Sequence, residues 1–169
     1  MKMSNGVEWA IHSCTLLAHL VDGQALPAAK LAEFHGVPAP YLSKHMQALV
    51  RAGICQSVPG PAGGFRLARP AREVTLLDVT EAIEGQEPAF HCTEIRQRGP
   101  GAQPPDCYTA PCGIAAAMWR AEEAWRRELA AVTIGEIAAG VLAVAPHAQL
   151  EAGARWLTET LSARGQPSE

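Results

Sequence analysis

The sequence is marked first by what it lacks. No apolar run reaches the length needed to span a bilayer, and residues 1–20 carry Glu8, His12 and His19 where a secretion signal needs an unbroken apolar core. The expected compartment is therefore the cytoplasm. There is no glycine-rich nucleotide loop, no nucleophile elbow and no second metal motif, which argues against an enzyme. Extended low complexity is absent too. Five cysteines, an odd number, argue against a disulfide framework in a reducing compartment and leave thiolates free for metal or redox chemistry. Positive charge is scarce overall, with a net charge of −3 on 169 residues. Between Gln24 and Arg72, however, six basic residues (Lys30, Lys44, Arg51, Arg66, Arg69, Arg72) face one acid, Glu33, giving +5, while the remainder carries −8. That local surplus is either a solvated surface or a face suited to nucleic acid.

What is present centres on Phe90 to Cys112, a segment rich in Pro and Gly that holds three of the five cysteines. Cys92, Cys107 and Cys112 sit among Gln, Arg, Gly, Pro and Asp, a poor setting for core cysteines, so ligation or redox chemistry is the better expectation. Cys107 and Cys112 are close enough in sequence to share one metal centre; Cys92 is not fixed by spacing.

Residues 6–21 read as an amphipathic helix with Val7, Ile11, Cys14, Leu17 and Val21 on its buried stripe. Glu8 and His12, four apart on another face, could close on one ion or simply meet through a hydrogen bond. Leu26 to Phe34 forms a short helix, with Pro27 near its start and Gly36 at its end. A second helix follows from Val37 to Gly53, with Tyr41, Leu42, Met46 (or His45), Leu49 and Val50 buried. The pair makes a helix-turn-helix whose outer face offers Ser43, Lys44, Gln47 and Arg51, side chains that bond phosphates and base edges. The segments ICQSV and FRL, joined by PGPAGG, predict a hairpin wing in which Arg66 and Arg69 suit phosphate or minor-groove contact.

Thr75 and Asp78 form a capping-box pattern for a core helix that Gly85 closes. Gly113 to Val132 reads as a long Ala-rich helix with Ile114, Met118, Ala121, Trp125 and Leu129 on a narrow stripe, either packed on its own subunit or pairing two subunits. Thr133 and Glu136 offer another capping box. The stretch from His147 to Leu161 reads as helical, and its end, SARGQPSE, as disordered. The fold class is thus mainly α with a small β-hairpin wing.

The run YLSKHMQALVRAGICQSVPGPAGGFRLARPAREVTLLDVTEAIEG resembles the signature of the Rrf-two family of winged-helix repressors, which includes the IscR, NsrR and RsrR iron-sulfur regulators. Its most specific parts are Tyr41-Leu42, Ala52-Gly53, the Gly63 to Leu67 wing with Arg69-Pro70, and three cysteines before a long helix. The resemblance implies a cytoplasmic homodimer that binds operator DNA under control of a cluster. It divides the chain into a winged helix-turn-helix domain (1–87), a cluster-binding loop (88–112), a dimerisation helix (113–132) and a C-terminal helical segment (133–169). Many members use all three cysteines closely spaced, whereas here Cys92 stands apart. The run from Cys92 to Pro100 and the Glu8 to His12 helix are similar to the RsrR type, which implies a two-iron two-sulfur (2Fe-2S) cluster. Its ligands would be Cys107 and Cys112 of one subunit with Glu8 and His12 of the partner subunit, leaving Cys92 as a bystander. Such ligation carries less negative charge than four thiolates and should raise the potential. Reduction is then expected to alter the His12 contact, reorient Trp9 and shift the first helix against the helix-turn-helix. Alternatives are a 4Fe-4S nitric-oxide sensor that also uses Cys92, a zinc site, or an electron-transfer protein whose winged helix only docks.

Overall fold

The computed structural model of the chain describes residues 3–165. In chain order the elements are α1 (Asn5–Leu17), α2 (Ala28–His35), α3 (Ala39–Arg51), β1 (Cys55–Val58), β2 (Gly64–Leu67), α4 (Leu76–Glu84), α5 (Gly113–Ala130), α6 (Ile134–Val144) and α7 (His147–Gly165).

α1 crosses the core, with Val7, Ala10, Cys14 and Leu17 buried at helical spacing and Ile11 half-buried. It ends four residues earlier than its apolar pattern suggests. Backbone bonds from His19 to Leu16 and from Leu20 to Leu17 tighten the chain out of the α-helix, and Val21 is left 65% exposed rather than buried. α2 follows Pro27 and stops at Gly36, whose φ of 65° only glycine adopts without strain. On α3 the fully buried stripe is Leu42, Met46 and Leu49. Tyr41, expected on that stripe, is 64% exposed. One residue before Leu42 it is rotated about 100° around the helix, and the 3.6-residue period points it outward.

The wing is a two-stranded antiparallel hairpin with Cys55 opposite Leu67 and Val58 opposite Gly64. A single bridge between Leu26 and Phe65 ties it to the entrance of α2, with N–H···O distances of 3.0 and 2.7 Å. That contact explains Gly64. A Cβ there would lie 2.3 Å from the Leu26 carbonyl carbon, and φ is +145°.

Both capping boxes form as the spacing predicts. Thr75 and Asp78 close the start of α4, and Thr133 and Glu136 close the start of α6. The two helix starts are joined side by side through Leu76 N–H to Val132 (2.9 Å) and Ile134 N–H to Val74 (2.8 Å). α6 then packs on α1 and buries Ile134 and Ala138.

α5 leans on α4 through the Arg126–Glu81 ion pair, yet buries only Ala115 fully. It ends at Ala130, and the start of its expected stripe is open, with Ile114 68% and Met118 44% exposed. α7 runs past Leu161, so residues 162–165, expected to be disordered, are helical; residues 166–169 of the expected tail lie outside the described residues. It packs on α2. Trp156 packs tilted against Phe34, ring centres 4.8 Å apart, and donates its indole N–H to Glu33 at 3.3 Å, while Leu157 and Leu161 reach the core.

Candidate functional site

Three groups of side chains come into question. The first is the outer face of α3 with the wing. Because Leu42, Met46 and Leu49 point inward, Lys44, Gln47 and Arg51 are exposed and Ser43 is half-buried. Tyr41, exposed rather than buried with Leu42, joins this face. On the wing, Arg66 lies opposite Gln56, whose amide, oriented with its oxygen toward Arg66, accepts from the guanidinium at 2.8 Å. Arg69 is committed to α4. Its guanidinium meets Asp78 at 3.0 Å, and the same carboxylate oxygen accepts from the Thr75 N–H at 2.8 Å.

The second group lies on α1. Glu8 and His12 are exposed and, with Met3, Val7 and Ile11, line an open groove of about 430 Å³. Trp9, half-buried between them, meets the His45 ring of α3 edge to face at 6.1 Å. The helices approach so closely here that a Cβ on Gly6 would sit 2.4 Å from the His45 ring. Glu84 anchors the same end of α1 by accepting from the Ser4 N–H (2.9 Å) and hydroxyl (2.6 Å). Burial and then the Lys44 charge push His45 below its ordinary pKa, with Glu84 opposing. On the other side, His12 lies 5.7 Å from the His35 ring. Burial, helped by His12, lowers His35 to about 4.

The third group is the cysteine loop. Arg96 is its hub, bonding Glu94 (3.0 Å) and the Ala110 carbonyl (3.0 Å) while its guanidinium lies 5.1 Å from the Tyr108 ring centre. The Tyr108 hydroxyl donates to the Arg96 carbonyl at 2.8 Å and accepts from the Gln103 N–H at 2.9 Å. Glu94 takes a left-handed φ of 47°, and the Cys92 thiol donates to it at 3.6 Å. Cys107 is exposed. Cys112 caps α5: the N–H groups of Ala115 and Ile114 hold its thiol below the ordinary value, Arg96 adds to this, and burial and Glu94 oppose it. Residue types in the sequence flagged the cysteines but not Arg96 or Tyr108. Arg96 and Tyr108 stand twelve positions apart in a loop without helical or strand periodicity, so no local spacing joined them.

The three groups do not merge. Among the described residues no three His, Cys, Asp or Glu side chains come together as a metal-binding group, so Glu8, His12, Cys107 and Cys112 do not form one within a single chain. Nor is any helix of the described residues long and apolar enough to cross a membrane.

A helix-turn-helix with a hairpin wing, basic and amide side chains on its second helix, and a long helix behind it defines the class: a winged-helix DNA-binding protein. The model of the Rrf2 family, iron-dependent transcriptional regulators, matches residues 3–140, and the chain belongs to that family. YwgB of Bacillus subtilis, classed as an HTH-type transcriptional regulator, is 40% identical over 51% of this chain and 55% of its own length. YffB of Lactococcus lactis, classed likewise, is 30% identical over 82% of this chain and 87% of its own. Of solved structures, CymR, the global cysteine regulator of B. subtilis, superposes with a TM-score of 0.62 at 19% identity over 82% of this chain and 97% of that one. IscR of T. potens superposes with a TM-score of 0.61 at 21% identity over 88% and 91%. At those identities the neighbours speak for the fold, mainly α with a hairpin wing. Family and relatives together make the chain a transcriptional regulator and not an enzyme.

Proposed function

We propose that this chain acts in the cytoplasm as a homodimeric redox-sensing repressor that binds operator DNA under control of a 2Fe-2S cluster. The observation that carries the reading is the contact between Trp9 and His45. It joins the turn of α1 bearing Glu8 and His12 to the helix that presents Lys44 and Gln47.

The donors present fit such a group. Cys112 is a thiol whose anion is stabilised by the first turn of α5, Cys107 is open to a ligand, and Glu8 and His12 are exposed on one face four residues apart. Cys107 and Cys112 of one subunit would hold the cluster together with Glu8 and His12 of the partner subunit. The open start of α5, with Ile114, Met118 and Trp119 exposed, supports pairing of two copies through that helix. When bound, the cluster supplies a one-electron couple, with a potential raised by nitrogen and oxygen ligation.

The chain's own residues do the rest. Trp9 transmits, because any rotation of its indole must be met by the His45 ring wedged against Gly6. Lys44, the neighbour of His45, then moves relative to the phosphate it meets. Ser43, Gln47 and Arg51 read the groove, and Arg66 and Arg69 place the wing, the latter from its seat on Asp78. Cys92, held on Glu94, stays outside the ligand set.

The test is operator affinity of anaerobically purified protein, oxidised and dithionite-reduced, with iron and sulfide counts and visible spectra for wild type and His12→Ala. A redox-dependent affinity that His12→Ala abolishes supports the reading. An affinity unchanged within about twofold while the cluster stays intact rejects it, and a count of four irons favours the nitric-oxide sensor instead. Lys44→Ala should weaken binding on every sequence and reduce the salt slope by about 1, whereas Gln47→Ala should relax base preference by about 1–3 kcal/mol.

A further inference from the structure

Two side chains of the loop divide its three cysteines. The Arg96 guanidinium bonds one oxygen of the Glu94 carboxylate from Nε (3.0 Å) and Nη2 (2.9 Å), and from Nη2 it also reaches the Ala110 carbonyl, two residues before Cys112, at 3.0 Å. Its centre lies 5.1 Å from the ring of Tyr108, the residue after Cys107, and its own carbonyl accepts from the Tyr108 hydroxyl at 2.8 Å. Arg96 is thus fastened beside both Cys107 and Cys112. Glu94 faces the third cysteine, because its other carboxylate oxygen accepts from the Cys92 thiol at 3.6 Å. Among the described residues Glu94 is the one non-glycine with a positive φ, 47°, a conformation that L side chains hold only where their surroundings enforce it. That turn leaves the carboxylate between the Cys92 thiol and the Arg96 guanidinium.

We propose that Glu94 and Arg96 sort the three cysteines: Arg96 sets out Cys107 and Cys112 as a pair of sulfur donors, while Glu94 holds Cys92 away, so that the loop offers a metal centre two thiolates and not three. The inference rests on the cluster reading above and makes these two residues the determinants of ligand number. A thiol binds a metal as its anion, and beside the Glu94 carboxylate that anion meets like charge where the thiol had a hydrogen-bond acceptor. Two thiolates leave room for the oxygen and nitrogen of Glu8 and His12 of the partner subunit; a third favours the four-iron alternative. Contacts of this kind, one bond removed from the ligands, orient them and tune their grip.

The experiment uses the full-length protein, stripped of metal by a chelator under reducing conditions, with Cd²⁺ as the probe because soft thiolates hold soft metals. Cysteines that bound Cd²⁺ leaves open are alkylated and identified by mass spectrometry, and the cadmium–thiolate absorption reports how many sulfurs bind. Cys14 and Cys55 are buried in the core, so their resistance to alkylation shows that each variant is folded. In wild type, Cys107 and Cys112 should be protected and Cys92 alkylated. Glu94→Ala should add Cys92 to the protected set, with the absorption rising from that of two thiolates to that of three. Arg96→Ala should weaken Cd²⁺ binding about 10–100-fold and also release Cys92. Arg96→Lys keeps the charge without the planar fork and should not restore the wild-type pattern. Protection of all three loop cysteines in wild type overturns the proposal, whether or not any variant folds. So does a folded Glu94→Ala protein in which Cys92 stays as open to alkylation as in wild type. Wild-type protein that sorts its thiols on Cd²⁺ yet holds no iron when purified anaerobically rejects the cluster reading and leaves the sorting in place; a two-iron cluster with Cys92 protected does the reverse.

Discussion

The winged helix and the cysteine loop are adjoining parts of one chain, built by opposite means. In the winged helix, order comes from apolar burial: Leu26, Leu31, Leu42, Met46, Leu49 and Ile54 are at most 1% exposed, and polar groups serve mainly as caps. Between Phe90 and Cys112, Cys112 is the one buried residue, and order comes from a guanidinium with a carboxylate, a carbonyl and an aromatic ring around it. Burial is non-directional and cooperative, so it makes a rigid reader. A polar hub is directional, exposed to water and worth far less, so it holds a loop in place while leaving it free to be remade by a ligand.

Substitutions on the two sides should separate these regimes. Leu42→Ala removes a fully buried side chain from the stripe of α3 and should cost about 2–5 kcal/mol of stability, read as an earlier urea midpoint with operator binding lost in parallel. Arg96→Ala should leave the global midpoint within about 1–2 kcal/mol of wild type while amide exchange from residues 92 to 110 and alkylation of Cys107 both accelerate. A global loss as large as that of Leu42→Ala would erase the distinction. Thr75→Ala tests the junction, since the capping box there also seats Asp78 against Arg69; about 1 kcal/mol is expected, with a wing more open to proteolysis.

The smallest effect concerns α7. Lys30 and then Trp156 hold the Glu33 carboxyl below its ordinary 4.5. A lowered folded value means that the unfolded chain binds the proton first, so this contribution is complete above about pH 4.5 and fades as pH falls through the folded value. Glu33→Gln should flatten that acid limb of the melting curve, a small effect because the carboxyl is open to solvent.

Local signals carried the fold far. Gly36 and Gly53 punctuated the helix-turn-helix, and two Thr-x-x-acid patterns marked the starts of α4 and α6, because each of these is decided within four residues. Phase was less secure. Tyr41 is one position off the stripe of α3, and an aromatic beside Leu42 is placed inward by hydrophobicity alone, although the helix has no room for both. Val21 failed for a similar reason, since periodicity does not say where a helix is cut. For the candidate site, sequence supplied the thiols and the Glu8–His12 pair, but not the rotation of Trp9 onto His45 or the seating of Arg69 on Asp78.

The chain's composition and spacing by themselves determined which segments are helical, where the wing turns, and that thiolates gather before a long helix. Those are properties of neighbours in the chain, set by backbone geometry and side-chain type. Only the tertiary structure decided that the loop hangs on Arg96 and that α7 clasps α2 through Trp156. Each is a contact between distant residues, chosen by which arrangement satisfied burial and hydrogen bonding for the whole molecule at once.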